Sequence, residues 1–193
     1  MLYIAATMEN FSVEQKAYHL RKMKTRYVRL DVDNDAHITL ADYELMAKRM
    51  VEYGKLSKDK AEIVYEKFRK MADLTGCGNP GERLALNKAI NQAHVSLLTL
   101  PDDEWKQIHH SNTGELFHAV DTNSDGVISV DEFAVFFMAV GLTREESKRS
   151  FDIIDTDKNG EISYEEFMKA AEDFYRGLEE TELSKAFFGP LVD

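Results

Sequence analysis

Apolar positions along the chain fall at three- to five-residue steps inside segments separated by acidic or glycine-containing loops, the pattern of amphipathic helices. In the first segment, predicted as a helix over Val13–Leu30, Tyr18, Met23, Tyr27 and Leu30 share one side. Further helices are predicted near Ala41–Tyr53, Lys58–Met71 and Leu86–Leu98. Pro101 then interrupts the pattern, with Asp102 or Asp103 placed to cap the next helix. Four more follow at Trp105–Val120, Ser129–Val140, Arg144–Ile154 and Tyr164–Gly177. A short tail, Glu179–Asp193, carries Leu183, Phe187, Phe188, Leu191 and Val192. No alternating run is long enough to make a strand of useful length.

The loops repeat. Asp121-Thr-Asn-Ser-Asp-Gly and Asp155-Thr-Asp-Lys-Asn-Gly start 34 residues apart, and Asp31-Val-Asp-Asn-Asp-Ala is a third copy. A hard cation such as Ca²⁺ takes about six to eight oxygens at about 2.3–2.6 Å. A twelve-residue EF-hand loop supplies them from side chains at positions 1, 3 and 5, a carbonyl at 7, position 9 through water and a bidentate glutamate at 12, with glycine at 6 for the turn. Asp121, Asn123, Asp125, Val127, Ser129 and Glu132 fill those places around Gly126. Asp155, Asp157, Asn159, Glu161, Ser163 and Glu166 fill them around Gly160. Ile128 and Ile162 hold position 8, where the two loops are expected to meet in a short antiparallel bridge. Phe117, Val120, Phe151 and Ile154 before these loops, and Phe133, Phe136, Phe137 and Phe167 after them, read as core.

The first loop departs from the pattern. Asp31, Asp33 and Asp35 are well placed, and His37 at position 7 offers only its carbonyl. Ala36 replaces the glycine, and a Cβ at positive φ is unfavourable. Asp42 replaces the closing glutamate with a side chain one methylene shorter. Four carboxylates still converge, so a bound ion is expected: Ca²⁺ held weakly, or Mg²⁺ with its smaller octahedral shell. Between the third and fourth helices the remaining loop, second in chain order, has lost its chemistry. With Leu84 at position 8, Cys77, Asn79 and Gly81 fall at ligand places and Lys88 at position 12. That loop is expected to be structural, pairing Leu84 with Ile38. The fold expected is therefore all-α: four EF-hand units in two packed lobes, residues 1–100 and 101–193, with the second loop degenerate.

Composition narrows the function. Of the 193 residues, 44% are apolar and 31% charged, so a packed globular fold is expected. The net charge of −11 opposes nucleic acid as partner and suits a protein that gathers carboxylates for a cation. A single cysteine, Cys77, allows no internal disulfide and fits a reducing cytoplasm; it reads as an incidental thiol. No apolar run reaches the length of a membrane span, and a monomer is expected. Met8 is an alternative start that would make residues 1–7 a leader. The six histidines show no catalytic spacing, and His109-His110 is merely an adjacent pair.

Four EF-hands with the second loop dead, in a chain of this length, resemble the sarcoplasmic calcium-binding proteins and calcium-regulated photoproteins. The run Ala17-Tyr-His-Leu-Arg-Lys-Met-Lys-Thr-Arg26, then Asp42-Tyr-Glu-Leu, Gly177-Leu-Glu-Glu-Thr181, Ala186-Phe and Leu191-Val-Asp193, is similar to the coelenterazine-binding (luciferin-binding) proteins of sea pansies. That resemblance implies an apolar cavity between two lobes holding coelenterazine, which calcium releases to a luciferase; the binding protein is not the oxidising enzyme. Eleven Phe, eight Tyr and eight Met supply walls for such a cavity. By the same resemblance Arg29 is the first candidate to hydrogen-bond the ligand and Arg26 the second. Their neighbours His19, Arg21, Lys22 and Lys24 equally fit a solvated basic face, and Phe187 and Phe188 either lid the cavity or pack the lobes. The competing readings are a cytosolic calcium buffer with no small ligand and a sensor gripping target peptides.

Overall fold

The computed structural model describes residues 8–193, so the expected leader over residues 1–7 lies outside the described residues. Helix α1, Val13–Leu30, starts from a capping box in which Ser12 and Gln15 each satisfy the other's backbone N–H. It ends where Asp31 turns into the first loop. Helices α2 (Leu40–Gly54), α3 (Lys58–Leu74) and α4 (Leu86–Thr99) complete the first pair of helix–loop–helix units. Helices α5 (Asp102–Val120), α6 (Val130–Ala139), α7 (Arg144–Ile154) and α8 (Tyr164–Arg176) make the second pair.

The loops of each pair meet in a two-stranded antiparallel bridge. β1 (His37–Ile38) pairs with β2 (Leu84–Ala85), setting Ile38 opposite Leu84. β3 (Val127–Ser129) pairs with β4 (Glu161–Ser163), setting Ile128 opposite Ile162. Both contacts follow from position 8 of the loops, as expected.

Two boundaries differ from the sequence expectation. Asp102 and Asp103 are not caps but first-turn residues of α5, where their charge complements the helix dipole. Within the tail, Thr181 and Ser184 form a capping box that starts a short helix, α9, at Glu182–Ala186. The alternation of small and apolar residues there was too short to announce a helix.

The two pairs share one core. Helix α2 packs on α6, α3 on α5, and α1 on α8. Polar ties cross the same faces: Arg49 donates to the Ala139 carbonyl at 3.1 Å, and Lys70 pairs with Glu115 at 2.6 Å. The phenylalanines that flank the third and fourth loops are all buried. Phe187 and Phe188 of the tail are buried as well, with Phe187 4.8 Å from Phe167 and Phe188 5.1 Å from Phe174 between ring centres. No helix among the described residues is long and apolar enough to cross a membrane.

Candidate metal centres and interior cavity

In the third loop the acidic side chains shape the turn that presents them. Asp121 Oδ1 accepts from the Asp125 N–H at 3.3 Å and its Oδ2 from the Gly126 N–H at 3.1 Å. Asn123 Oδ1 accepts from Asp125 N–H (2.9 Å), and Asp125 Oδ1 from Val127 N–H (3.1 Å). Glu132 closes the loop. Its Oε1 accepts from the backbone and hydroxyl of Thr122, both at 3.0 Å, and its Oε2 from the backbone and hydroxyl of Ser129. Ser129 is also the N-cap of α6, so the residue at position 9 starts the helix that carries position 12.

The fourth loop repeats this arrangement with Asp155, Asp157, Asn159, Ser163 and Glu166. Oxygens of Asp155, Asp157 and Glu166 lie within 4.8 Å of one another. Burial opposes the charge on Glu166, but hydrogen bonds from Ser163 and Thr156 outweigh it and hold the carboxyl at about 2. Gly126 and Gly160 both take φ of 90°, the conformation that the turn requires. Val127 and Glu161 enter β3 and β4 at position 7, where the backbone carbonyl is the available donor.

The first loop keeps the same hydrogen bonds with two alterations. Asp31, Asp33 and Asp35 converge within 4.8 Å, but Asp42 is not part of that cluster. It is fully buried, accepting from Val32 N–H and Thr39 N–H, both at 2.9 Å, and burial raises its pKa. Val32 has no hydroxyl to match Thr122 and Thr156. Ala36 sits at φ 65°, the strained region expected from its place. The His37 ring turns toward the Asp35 carbonyl and Arg83. All three donor sets are oxygen-only, the chemistry of a hard divalent ion rather than a soft one. In the second loop Cys77 is buried with its thiol donating to the Ile38 carbonyl at 3.3 Å, and Lys88 is exposed.

Between the two pairs lies a cavity of about 50 Å³. Arg26 and Leu30 of α1, Tyr43 and Met46 of α2, Phe136 of α6 and Tyr175 of α8 line it, with Phe188 of the tail. A second space of about 50 Å³ shares Arg26, Asn112, Thr113 and Tyr175 and reaches Trp105 and His109. Arg26 is surrounded by phenols rather than carboxylates. Its Nη1 donates to the Tyr27 hydroxyl at 2.9 Å, and its guanidinium lies 5.4 Å from the Tyr175 ring centre. Its Nε has no hydrogen-bond partner among the described residues. Arg29 is not in this lining; its Nη2 is 3.4 Å from the Pro190 carbonyl, at the tail.

A match to the EF-hand domain pair covers residues 111–172. The luciferin-binding protein of Renilla reniformis is 40% identical over 183 residues, 94% of this chain and 98% of that one. The chain belongs to the luciferin-binding protein family. The coelenterazine-binding protein of Renilla muelleri, in its calcium-loaded apo form, superposes with a TM-score of 0.89 at 41% identity, covering 94% of this chain and all of that one. A more distant branch appears in the sarcoplasmic calcium-binding protein of Perinereis vancaurica tetradentata, 36% identical over 90% of this chain and 98% of that one.

Within this luciferin-binding family member, the basic residues of α1 divide: Lys24 is exposed and Arg21 partly so, whereas His19 and Lys22 turn inward. His19 and Lys22 expose no surface. Lys22 Nζ donates to the carbonyls of Gly177 (2.5 Å) and Asp173 (3.1 Å), and His19 Nε2 donates to that of Tyr175 (2.7 Å). The Asp173 carbonyl also accepts from the Gly177 N–H at 3.0 Å, but the Tyr175 and Gly177 carbonyls lie past the last helical bond of α8, and α1 supplies donors to them. The His109 ring stacks on Trp105 with centres 4.5 Å apart and bonds Thr113 and the Met168 carbonyl. Neither cluster was fully legible in the sequence, because the carbonyls that anchor them come from α8, at least 59 residues away, although Trp105 and Thr113 stand four residues either side of His109.

Proposed function

We propose that this protein holds coelenterazine in the cavity between its two EF-hand pairs and releases it to a luciferase when calcium binds. It acts as a carrier and not as the oxidising enzyme, as a monomer in the cytoplasm, with its lobes dividing near Leu100–Pro101. Calcium is held by Asp121, Asn123, Asp125, the Val127 carbonyl and Glu132, with Ser129 acting through water. Asp155, Asp157, Asn159, the Glu161 carbonyl, Glu166 and Ser163 serve the same way in the fourth loop. The first loop offers Asp31, Asp33, Asp35, the His37 carbonyl and Asp42, and Mg²⁺ competes there.

The observation that carries this reading is the half-buried Arg26, whose Nε is enclosed without a partner among the described residues. A guanidinium enclosed between helices without a carboxylate is costly unless an acceptor meets it. Its unpartnered Nε belongs to a residue of the cavity lining, where a ligand oxygen or nitrogen would satisfy it. Arg29 Nε is likewise buried without a partner among the described residues, but Arg29 is not in the lining, so Arg26 is assigned the ligand hydrogen bond ahead of it. The cavity of about 50 Å³ is far below the roughly 300–1,000 Å³ of pockets for drug-sized ligands. Admitting coelenterazine therefore requires the cavity walls to move apart.

Mixing the calcium-free protein with coelenterazine tests the proposal. A shift of the ligand's visible band that calcium reverses is the expected result. A free-ligand spectrum, unchanged by protein, overturns it and leaves the second reading, a calcium buffer, which the 36% identity to a sarcoplasmic protein favours. Arg26→Met should weaken ligand binding by at least about tenfold, the loss of one charged hydrogen bond, and leave calcium titrations unchanged.

A further inference from the structure

The degenerate second loop faces the first across the β1–β2 bridge, with Ile38 opposite Leu84 and His37 opposite Ala85. Arg83 stands just before Leu84, at position 7 of that loop. Its Nη2 lies 2.9 Å from Asp35 Oδ2 and 3.2 Å from His37 Nδ1. Asp35 is one of the three carboxylates that converge in the first loop. The loop that has lost its own ion thus delivers a fixed positive charge onto its neighbour's ion site. In the other pair the same position of the facing loop is Glu161, of opposite sign.

We propose that Arg83 is a tethered counter-ion that sets the calcium affinity of the first site. Three convergent carboxylates, with Asp42 beside them, repel one another until a cation arrives. A guanidinium stays charged at any working pH and matches a carboxylate oxygen geometrically. Arg83 therefore stabilises the metal-free loop. When the ion enters, Asp35 must turn an oxygen toward it while the guanidinium faces a dication, so the same contact weakens binding. Both side chains are about half exposed, at 55% and 41%, which limits the effect. Removing the charge should tighten the first site by about two- to fivefold.

The test is a calcium titration of the intact protein followed by amide NMR, with Ala36 reporting the first site and Gly126 and Gly160 the other two. In Arg83→Gln the Ala36 midpoint should fall by about two- to fivefold while both glycine midpoints hold. The gain should shrink at high salt, because the contact is exposed. Arg83→Lys should stay near the parent value. Melting in the presence of chelator should move the other way, Arg83→Gln unfolding at a lower temperature than the parent. An unchanged Ala36 midpoint makes Arg83 a bystander and overturns the proposal. A raised midpoint overturns it too, by showing that Arg83 holds Asp35 in place for the ion. Equal shifts at all three sites would mean a global effect and likewise refute it. The titration needs no luciferin, so its outcome is independent of the carrier role.

Discussion

Ala36 and Asp42 show how one atom changes an ion site. In the third and fourth loops glycine occupies φ of 90° without strain; in the first, Ala36 is held at 65° with a Cβ. That conformation costs a non-glycine residue about 1–2 kcal/mol. Ala36→Gly should therefore raise stability by about 1 kcal/mol, less the entropy that glycine adds to the unfolded chain. It should also tighten the first site alone, readable in a urea titration and in calorimetry. Asp42 is a different defect: it accepts from the same position-2 and position-9 N–H groups as Glu132, here Val32 and Thr39, but its side chain is one methylene shorter. Asp42→Glu should favour Ca²⁺ over Mg²⁺ there, because a bidentate closure suits the larger ion. Equal gains for both ions would contradict that account. Ligand positions of this kind are legible in the sequence because the loop is short and its order fixes its geometry. The hydroxyls of Thr122 and Thr156 that hold the closing glutamates were not, since position 2 meets position 12 only once the loop has closed.

The packing of α1 on α8 explains both what the helical pattern revealed and what it hid. The three- to four-residue spacing announced each helix, yet His19, Lys22 and Arg26 share that spacing and looked like a polar face. Their partners are carbonyls and rings of a helix 150 residues on, which no local pattern encodes. Lys22 meets the carbonyls at the C-terminal end of α8, where the helix dipole favours positive charge. Two buried histidines, His19 at this junction and His109 on α5, carry a pH signature. Burial holds His19 down to about 3 and His109 to about 4, against 6.5 when exposed. The folded protein thus binds fewer protons than the unfolded chain as pH drops below 6.5. Their contribution to stability is complete above pH 6.5 and is lost progressively toward pH 4 and then 3. Urea midpoints should decline between pH 6.5 and 5, above the range where most carboxylates titrate. His19→Gln and His109→Gln should each flatten that decline; an unaltered slope in both would show that other groups govern it.

Calcium can empty the cavity only if the calcium-free form binds the ligand more tightly, and linkage then requires the ligand to weaken calcium binding by the same factor. A carrier that discharges usefully needs a factor of about 100, or roughly 2.7 kcal/mol. Calcium curves with and without saturating coelenterazine should therefore separate by that amount. Curves that superimpose would leave calcium with no means of release. The route of the coupling follows from where the closing residues sit. Phe136 lines the cavity four residues after Glu132, and Met46 does so four residues after Asp42, each one turn further along the same helix face. Drawing Glu132 onto an ion should shift the start of α6 and carry Phe136 with it. On α8 the lining residue, Tyr175, stands nine positions beyond Glu166, and α1 grips that end of the helix through Lys22 and His19. Movement at the fourth loop is therefore expected to be damped before it reaches the cavity. Glu132→Gln should cut the coupling factor more than Glu166→Gln, although each removes the closing carboxylate of one loop. The comparison requires only ligand affinity with and without calcium in the two variants, and a larger loss in Glu166→Gln would place the lever on α8 instead.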